Sequence, residues 1–171
     1  EPYCIKELED VAAQKFRYTI LEKIDQGGMK DIFRAFDKTT KRVVAIAFIK
    51  TDDASEKDLR YFVQEAWISA SLEHPNIVPI HDIGLDPYRK PYFVMKLLSG
   101  ENLGSIIQQL KSANPTYSTT YTERELLSSF LKICDAISYA HKEGVLHLDL
   151  KPENILFEED GKTYVEVEVG N

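Results

Sequence analysis

The hydrophobic period changes partway along the chain, and that change limits the fold more than any other feature. From Phe16 to Lys50 the pattern is β-rich: Phe16 to Lys23, a glycine pair at Gly27 and Gly28, Ile32 to Phe36, a polar turn over Asp37 to Lys41, then Val43 to Lys50. This spacing predicts a three-stranded meander. Ser55 followed by Asp58 has the form of a capping box, and Leu59, Phe62, Val63, Ala66 and Ala70 then recur at helical spacing, predicting a helix that ends before His74-Pro75. Ile77 to Ile83 and Tyr92 to Leu98 read as two more strands, divided by a turn around Gly84, Asp86 and Pro87. The first part is therefore expected to hold five strands and one helix.

Beyond Leu98 the helical period takes over. Leu103 to Leu110 predicts a short helix, and Lys111 to Thr122 reads as a polar loop with no period of either kind. Thr122 opens a long helix with Leu127, Phe130, Leu131, Cys134 and Ile137 as its apolar stripe; Leu126 and Ile133 make that stripe broader than one contact face needs. Ile155 to Phe157 and Tyr164 to Val169 then read as a strand pair around Glu159-Asp160-Gly161. The fold class expected is α+β, with an extension at 1–15, a sheet-rich part at 16–98 and a helical part at 99–171.

Composition narrows the class. The chain has 171 residues, 43% hydrophobic and 29% charged, enough to bury roughly two-thirds of its unfolded surface in a core. Cys4 and Cys134 show no ligand spacing and read as free thiols of a reducing compartment, so a cytoplasmic location is expected. No apolar run is long enough to span a bilayer. A formal net charge of −7, with no basic stripe interleaved with aromatics, disfavours nucleic acid as the partner.

The strongest chemical signal is the run Gly144-Val145-Leu146-His147-Leu148-Asp149-Leu150-Lys151-Pro152-Glu153-Asn154-Ile155-Leu156. It resembles the catalytic loop of serine/threonine protein kinases. The upstream order agrees: the glycine turn, Val44-Ala45-Ile46, the helix carrying Glu65, His74-Pro75-Asn76-Ile77-Val78, and Tyr92 to Met95 leading to a hinge at Lys96 to Leu98. The wording around Gly27-Gly28-Met29 and Met95 is most similar to bacterial kinases of the eukaryotic type. The resemblance runs from about Tyr18 to the C-terminus and implies a two-lobed protein-kinase-like fold, a five-stranded antiparallel sheet with one helix followed by the upper part of a helical lobe.

It also implies ATP and magnesium as cofactors, with nucleotide contacts from Gly27, Gly28, Lys30, Ile32, Ala45, Glu65, Met95 and Leu98. Asp149 matches the carboxylate that orients the acceptor hydroxyl, Lys151 the lysine that neutralises the transferred phosphate, and Asn154 a magnesium ligand. Four positions ahead of the last strand depart from the family. Asp25 stands at the first glycine of the phosphate loop and Lys30 at the third; Ala47 stands where the strand lysine belongs; Leu148 replaces the arginine that would receive a phosphorylated activation loop. In with-no-lysine kinases a lysine at the third glycine position reaches the same pocket, and Lys30 matches that position. Lys50 is three residues past Ala47, an odd offset, and is expected on the opposite face in solvent. An unpaired buried carboxylate costs roughly 3 to 5 kcal/mol, so Glu65 is expected to pair with Lys30, swing outward or take up a proton.

At the end of the chain the family's metal-binding aspartate falls on Val167 by an ungapped count from Asn154, or on Glu168 if Gly170 is matched to the family glycine. Alternation favours the ungapped count, since Val165, Val167 and Val169 then share the inward face. The missing lysine and aspartate together predict weak or absent ATP binding and a pseudokinase with a regulatory or scaffolding role; the alternative is a weak Ser/Thr kinase using Lys30. A family domain continues beyond this point, so a trimmed or fragmentary chain is expected, with the broad stripe of the long helix covered by a protein partner, by the remainder of a longer chain or by self-association.

Overall fold

A computed structural model describes residues 16–26, 30–50, 54–158 and 160–167. The 1–15 extension with Cys4, the glycine pair Gly27 and Gly28, and Glu168 lie outside the described residues. The chain divides into two compact units, one built from 16–66 and 80–97, the other from 67–79 and 98–167.

The first unit is a five-stranded sheet of β1 (Tyr18–Gln26), β2 (Lys30–Asp37), β3 (Arg42–Ile49), β4 (Ile80–Leu85) and β5 (Pro91–Met95). The strand order is β1-β2-β3-β5-β4, and every pairing is antiparallel. On central β3, Val44, Ala45, Ile46 and Ala47 are all buried, as expected for a strand covered on both faces. One face packs Tyr18, Ala35, Val44, Ile46, Tyr92 and Val94 against Phe16, Phe33 and Phe48. Phe16, Tyr18 and Tyr92 meet edge to face at centroid distances of 5.4 to 5.7 Å. Helix α1 (Glu56–Ser71) starts on the expected capping box: the Asp58 amide donates to Ser55 Oγ at 3.2 Å, and the Ser55 amide donates to the Asp58 carboxylate at 2.8 Å.

The turn between β2 and β3 is tied down by Asp37, which is 1% exposed. Its carboxylate accepts from Arg17 Nε at 2.8 Å and Nη2 at 2.6 Å, from the Thr39 amide at 2.9 Å, and from Thr40 Oγ1 at 2.6 Å. The Tyr18 hydroxyl donates to Asp82 at 2.6 Å, joining β1 to β4 from opposite edges of the sheet. Burial and the Asp82 carboxylate push the Tyr18 phenol far above its ordinary range. Burial alone would raise Asp37, but Arg17 and Thr40 outweigh it and hold the carboxyl well below the usual range.

The second unit contains α2 (Leu103–Lys111), α3 (Pro115–Thr120), α4 (Glu123–Lys142) and a three-stranded sheet, β6 (Glu101–Asn102), β7 (Ile155–Phe157) and β8 (Thr163–Val165). Its core is Leu72, Ile77, Ile106, Ile133, Ala136, Ala140, Ile155, Phe157, Val165 and Val167. Strand β7 passes so close to Gly100 that a Cβ there would lie 1.4 Å from the Phe157 carbonyl oxygen. Ile77, expected to begin a strand, instead makes an isolated parallel bridge to Val165, and β4 begins only at Ile80.

Two readings of this unit need correction. Residues 115–120, expected to be loop, form a helical turn and a half, because Asn114 caps the Thr116 amide at 3.1 Å and Pro115 supplies a helical φ at the first position. The long helix begins as expected, with Thr122 and Glu125 in a capping box. Its buried side, however, is Ser129, Ile133, Ala136 and Ala140, while Leu127, Phe130, Leu131 and Cys134 of the expected stripe point outward. Small residues let the helix approach β8 closely, and Thr163 and Ser129 join their hydroxyls across that contact at 3.0 Å.

Replacing Asp37 by asparagine should cost about 3 kcal/mol, because Arg17 would lose its bidentate partner and the turn its acceptor; urea unfolding of the variant measures this. Since folding depresses the Asp37 pKa, the unfolded chain protonates first as pH falls. The contribution is present above about pH 4 and lost below it, and the pH dependence of the melting temperature should flatten in Asp37→Asn. Gly100→Ala should destabilise by about 3 kcal/mol, at the upper end of overpacking costs.

Candidate functional site

In the first unit the sheet register brings one set of expected site residues onto a single face. Ile32 pairs with Ala47, Ala47 with Phe93, and Ala45 with Met95, so these side chains share a face with Lys30, which pairs with Ile49. Ile32, Ala45, Ala47, Phe93 and Met95 are all buried. Lys30 Nζ donates to Glu65 Oε1 of α1 at 2.9 Å, with the two side chains 12% and 21% exposed. The same ammonium stands 5.8 Å from the centroid of the Phe93 ring. Of the three fates open to Glu65, the structure has the first: it pairs with Lys30. The cation comes from β2, the strand beside the one that carries alanine.

Lys50 lies on the face opposite Ala47, as expected, with 34% of its side chain exposed. Its ammonium is 3.8 Å from the Asp31 carboxylate, which Lys23 approaches at 3.0 Å, so it joins a small charged cluster at the surface.

The second unit carries the loop from His147 to Asn154. The His147 ring accepts the Asp149 amide at Nδ1, 3.4 Å, and its Nε2 lies 2.9 Å from the Glu166 carbonyl; with the proton assigned to Nε2, neutral His147 satisfies both partners. Asn154 is 6% exposed, and its carboxamide Nδ2 donates to the Asp149 carbonyl at 2.9 Å, while the Glu166 amide donates to the Asn154 carbonyl at 2.9 Å. The Asp149 carboxylate is half exposed and ion-paired with the Lys151 ammonium. The loop thus brings Asp149, Lys151 and Asn154 together, its backbone fixed by His147 and Asn154 and the Asp149 carboxylate half exposed. Leu98 lies half-buried in this same unit, at its first residue after 97. Leu148, in place of arginine, is 62% exposed and offers no charge.

Val167 is 4% exposed within the apolar cluster, and its carbonyl accepts from the buried Ser69 hydroxyl at 3.2 Å. Val165 is also buried, so the alternation behind the ungapped count holds for both described valines. By the ungapped count the donor set does not fit a magnesium ion as the family binds it: Asn154 retains an amide oxygen, but that count puts the hydrocarbon Val167 where the directly bound carboxylate belongs, and the other candidate, Glu168, lies outside the described residues. Among the described residues no group of three or more His, Cys, Asp or Glu side chains could hold a metal.

Two participants escaped the sequence reading. Phe93 stands opposite Ala47 only through the β3–β5 register, which no local pattern reveals. Ser69 reaches Val167 across 98 residues, and its place at a buried position of the α1 stripe was the only available sign.

Comparison with known proteins agrees with this arrangement. The protein kinase domain model matches residues 18–167. Serine/threonine-protein kinase PknD of Protochlamydia amoebophila is 34% identical over 173 residues, covering 96% of this chain and 18% of that protein. PknD of Chlamydia caviae is 37% identical and PknD of Chlamydia trachomatis serovar D 38% identical, each over 145 residues covering 82% of this chain and 15% of theirs. The chain therefore spans less than a fifth of the length of these relatives. With a family model running through both units and relatives 34 to 38% identical over most of its length, the chain belongs to the protein kinase domain family, on its bacterial serine/threonine branch.

Proposed function

We propose that this chain is a pseudokinase domain with a regulatory or scaffolding role, binding ATP weakly or not at all. The observation that carries this reading is the burial of Val167 in the apolar core, since an ungapped count from Asn154 puts the family's metal carboxylate at this residue. Transfer of a phosphoryl group depends on neutralising charge at the β- and γ-phosphates, chiefly through metal ions. A valine cannot ligate one. Leu148 points the same way, since it removes the cation that would couple activity to a phosphorylated loop. A cytoplasmic location goes with the reading.

A second reading, a weakly active Ser/Thr kinase, is favoured by one specific observation, the Lys30–Glu65 contact at 2.9 Å. In that case Lys30 holds the nucleotide phosphates in place of the strand lysine, Asp149 orients the acceptor hydroxyl and Lys151 neutralises the transferred group. The two readings part on nucleotide binding. A ligand at 100 times its Kd adds about 2.7 kcal/mol of stability, several degrees of melting temperature. We expect no magnesium-dependent shift at about 1 mM ATP. A shift that needs magnesium and vanishes in Lys30→Ala would favour the second reading.

The scaffolding role draws support from α4. Leu127, Phe130 and Leu131 are 58 to 61% exposed, and apolar grooves of about 550 and 640 Å³ flank Phe130. Contiguous exposed apolar surface of this kind marks protein contact sites. The isolated chain should bind a hydrophobic dye or self-associate, and Phe130→Glu should reduce either effect without loss of helical circular dichroism. Sedimentation as a monomer with no dye binding would contradict the role assigned to this face.

A further inference from the structure

We propose that Phe93 is a positioning residue for Lys30, its ring face holding the displaced ammonium where Glu65 can meet it. The inference rests on the reading that Lys30 stands in for the strand lysine, and it concerns how a lysine on the wrong strand can serve. Lys30 projects from β2 and Phe93 from β5, with β3 between them, so the lysine stem must cross the position opposite both Ile32 and Phe93. That position is Ala47, fully buried and small enough to leave the path open. Beyond it the ammonium reaches Glu65 at 2.9 Å and the Phe93 ring at 5.8 Å from its centroid, within the distance at which an aromatic face attracts a cation.

The ring cannot drift away from this duty. Phe93 is 3% exposed, and its other neighbour, Phe62 of α1, packs at a centroid distance of 5.1 Å with planes inclined by 39°. Phe62 and Glu65 lie three residues apart, on one side of the same helix. Helix α1 therefore supplies both the carboxylate that attracts the ammonium and the ring that fixes Phe93 beneath it. A lysine placed this way is largely withdrawn from water, with 12% of its side chain exposed, and a negative ring face stabilises its charge. Aliphatic side chains of similar bulk would fill the core equally well but offer no such face.

The test reads Lys30 itself and needs no nucleotide. The folded protein is pulsed with acetic anhydride, and the acylation rate of Lys30 relative to exposed Lys111 is followed by mass spectrometry. In Phe93→Leu and Phe93→Met, whichever folds with native circular dichroism, Lys30 should acylate about threefold faster while Lys111 is unchanged. Phe93→Tyr, which keeps the ring, should stay near the parent rate. A role in core packing alone would lower the melting temperature and leave the Lys30 to Lys111 ratio where it was; that result would overturn the proposal, as would Phe93→Tyr behaving like Phe93→Leu. If Lys30 in the parent protein reacts as fast as Lys111, the Lys30–Glu65 pair is absent and the underlying reading falls too. Slow acylation that ignores Phe93 removes only the role given to the ring.

Discussion

A carboxylate withdrawn from water must have a cation, and Glu65 obtains one from Lys30. Much of the first unit is arranged around that requirement. Antiparallel register places Ile32, Ala47 and Phe93 side by side on the face that looks toward α1. With alanine at 47, the face has room for a side chain to cross from β2. On the opposite face, the aromatic cluster of Phe16, Tyr18 and Tyr92 and the Asp37 network hold the strands in the register that makes the crossing possible. One ion pair thus depends on both faces of the sheet.

The second unit separates scaffolding from chemistry. His147 and Asn154 spend their hydrogen bonds on the backbone around Asp149 and Glu166, so the loop keeps its shape whether or not any phosphate is transferred. That is consistent with the most recognisable stretch of the sequence persisting in a chain that carries Val167, two residues past β8, in a dry, apolar setting. A loop that resembles its family speaks for fold; the ligands around it decide the chemistry.

Much of this was legible in the sequence, and for local reasons. Capping boxes at Ser55 and Thr122 are set by residues three apart, and period-two and period-3.6 patterns mark the strands and the long helix. The Lys30–Glu65 pairing was reachable as one of three outcomes once Ala47 was seen to lack a charge. What stayed hidden depends on distant contacts or on small residues. The buried side of α4 is defined by Ser129, Ala136 and Ala140, which hydrophobicity ranks below the outward Leu127, Phe130 and Leu131. The turn of helix at Pro115–Thr120 has no apolar stripe and exists through its Asn114 cap. Phe93 owes its place beneath the Lys30 ammonium to strand register.

The proposed loss of catalysis meets its most direct test in the transfer of the ATP γ-phosphate, with magnesium, to a mixed Ser/Thr peptide pool, set beside the Asp149→Asn variant. On this account, in which Val167 stands at the metal-carboxylate position, the parent protein transfers no more phosphate than Asp149→Asn. Transfer well above that variant, abolished as well by Lys30→Ala, would contradict it and identify the domain as a working kinase with a relocated lysine.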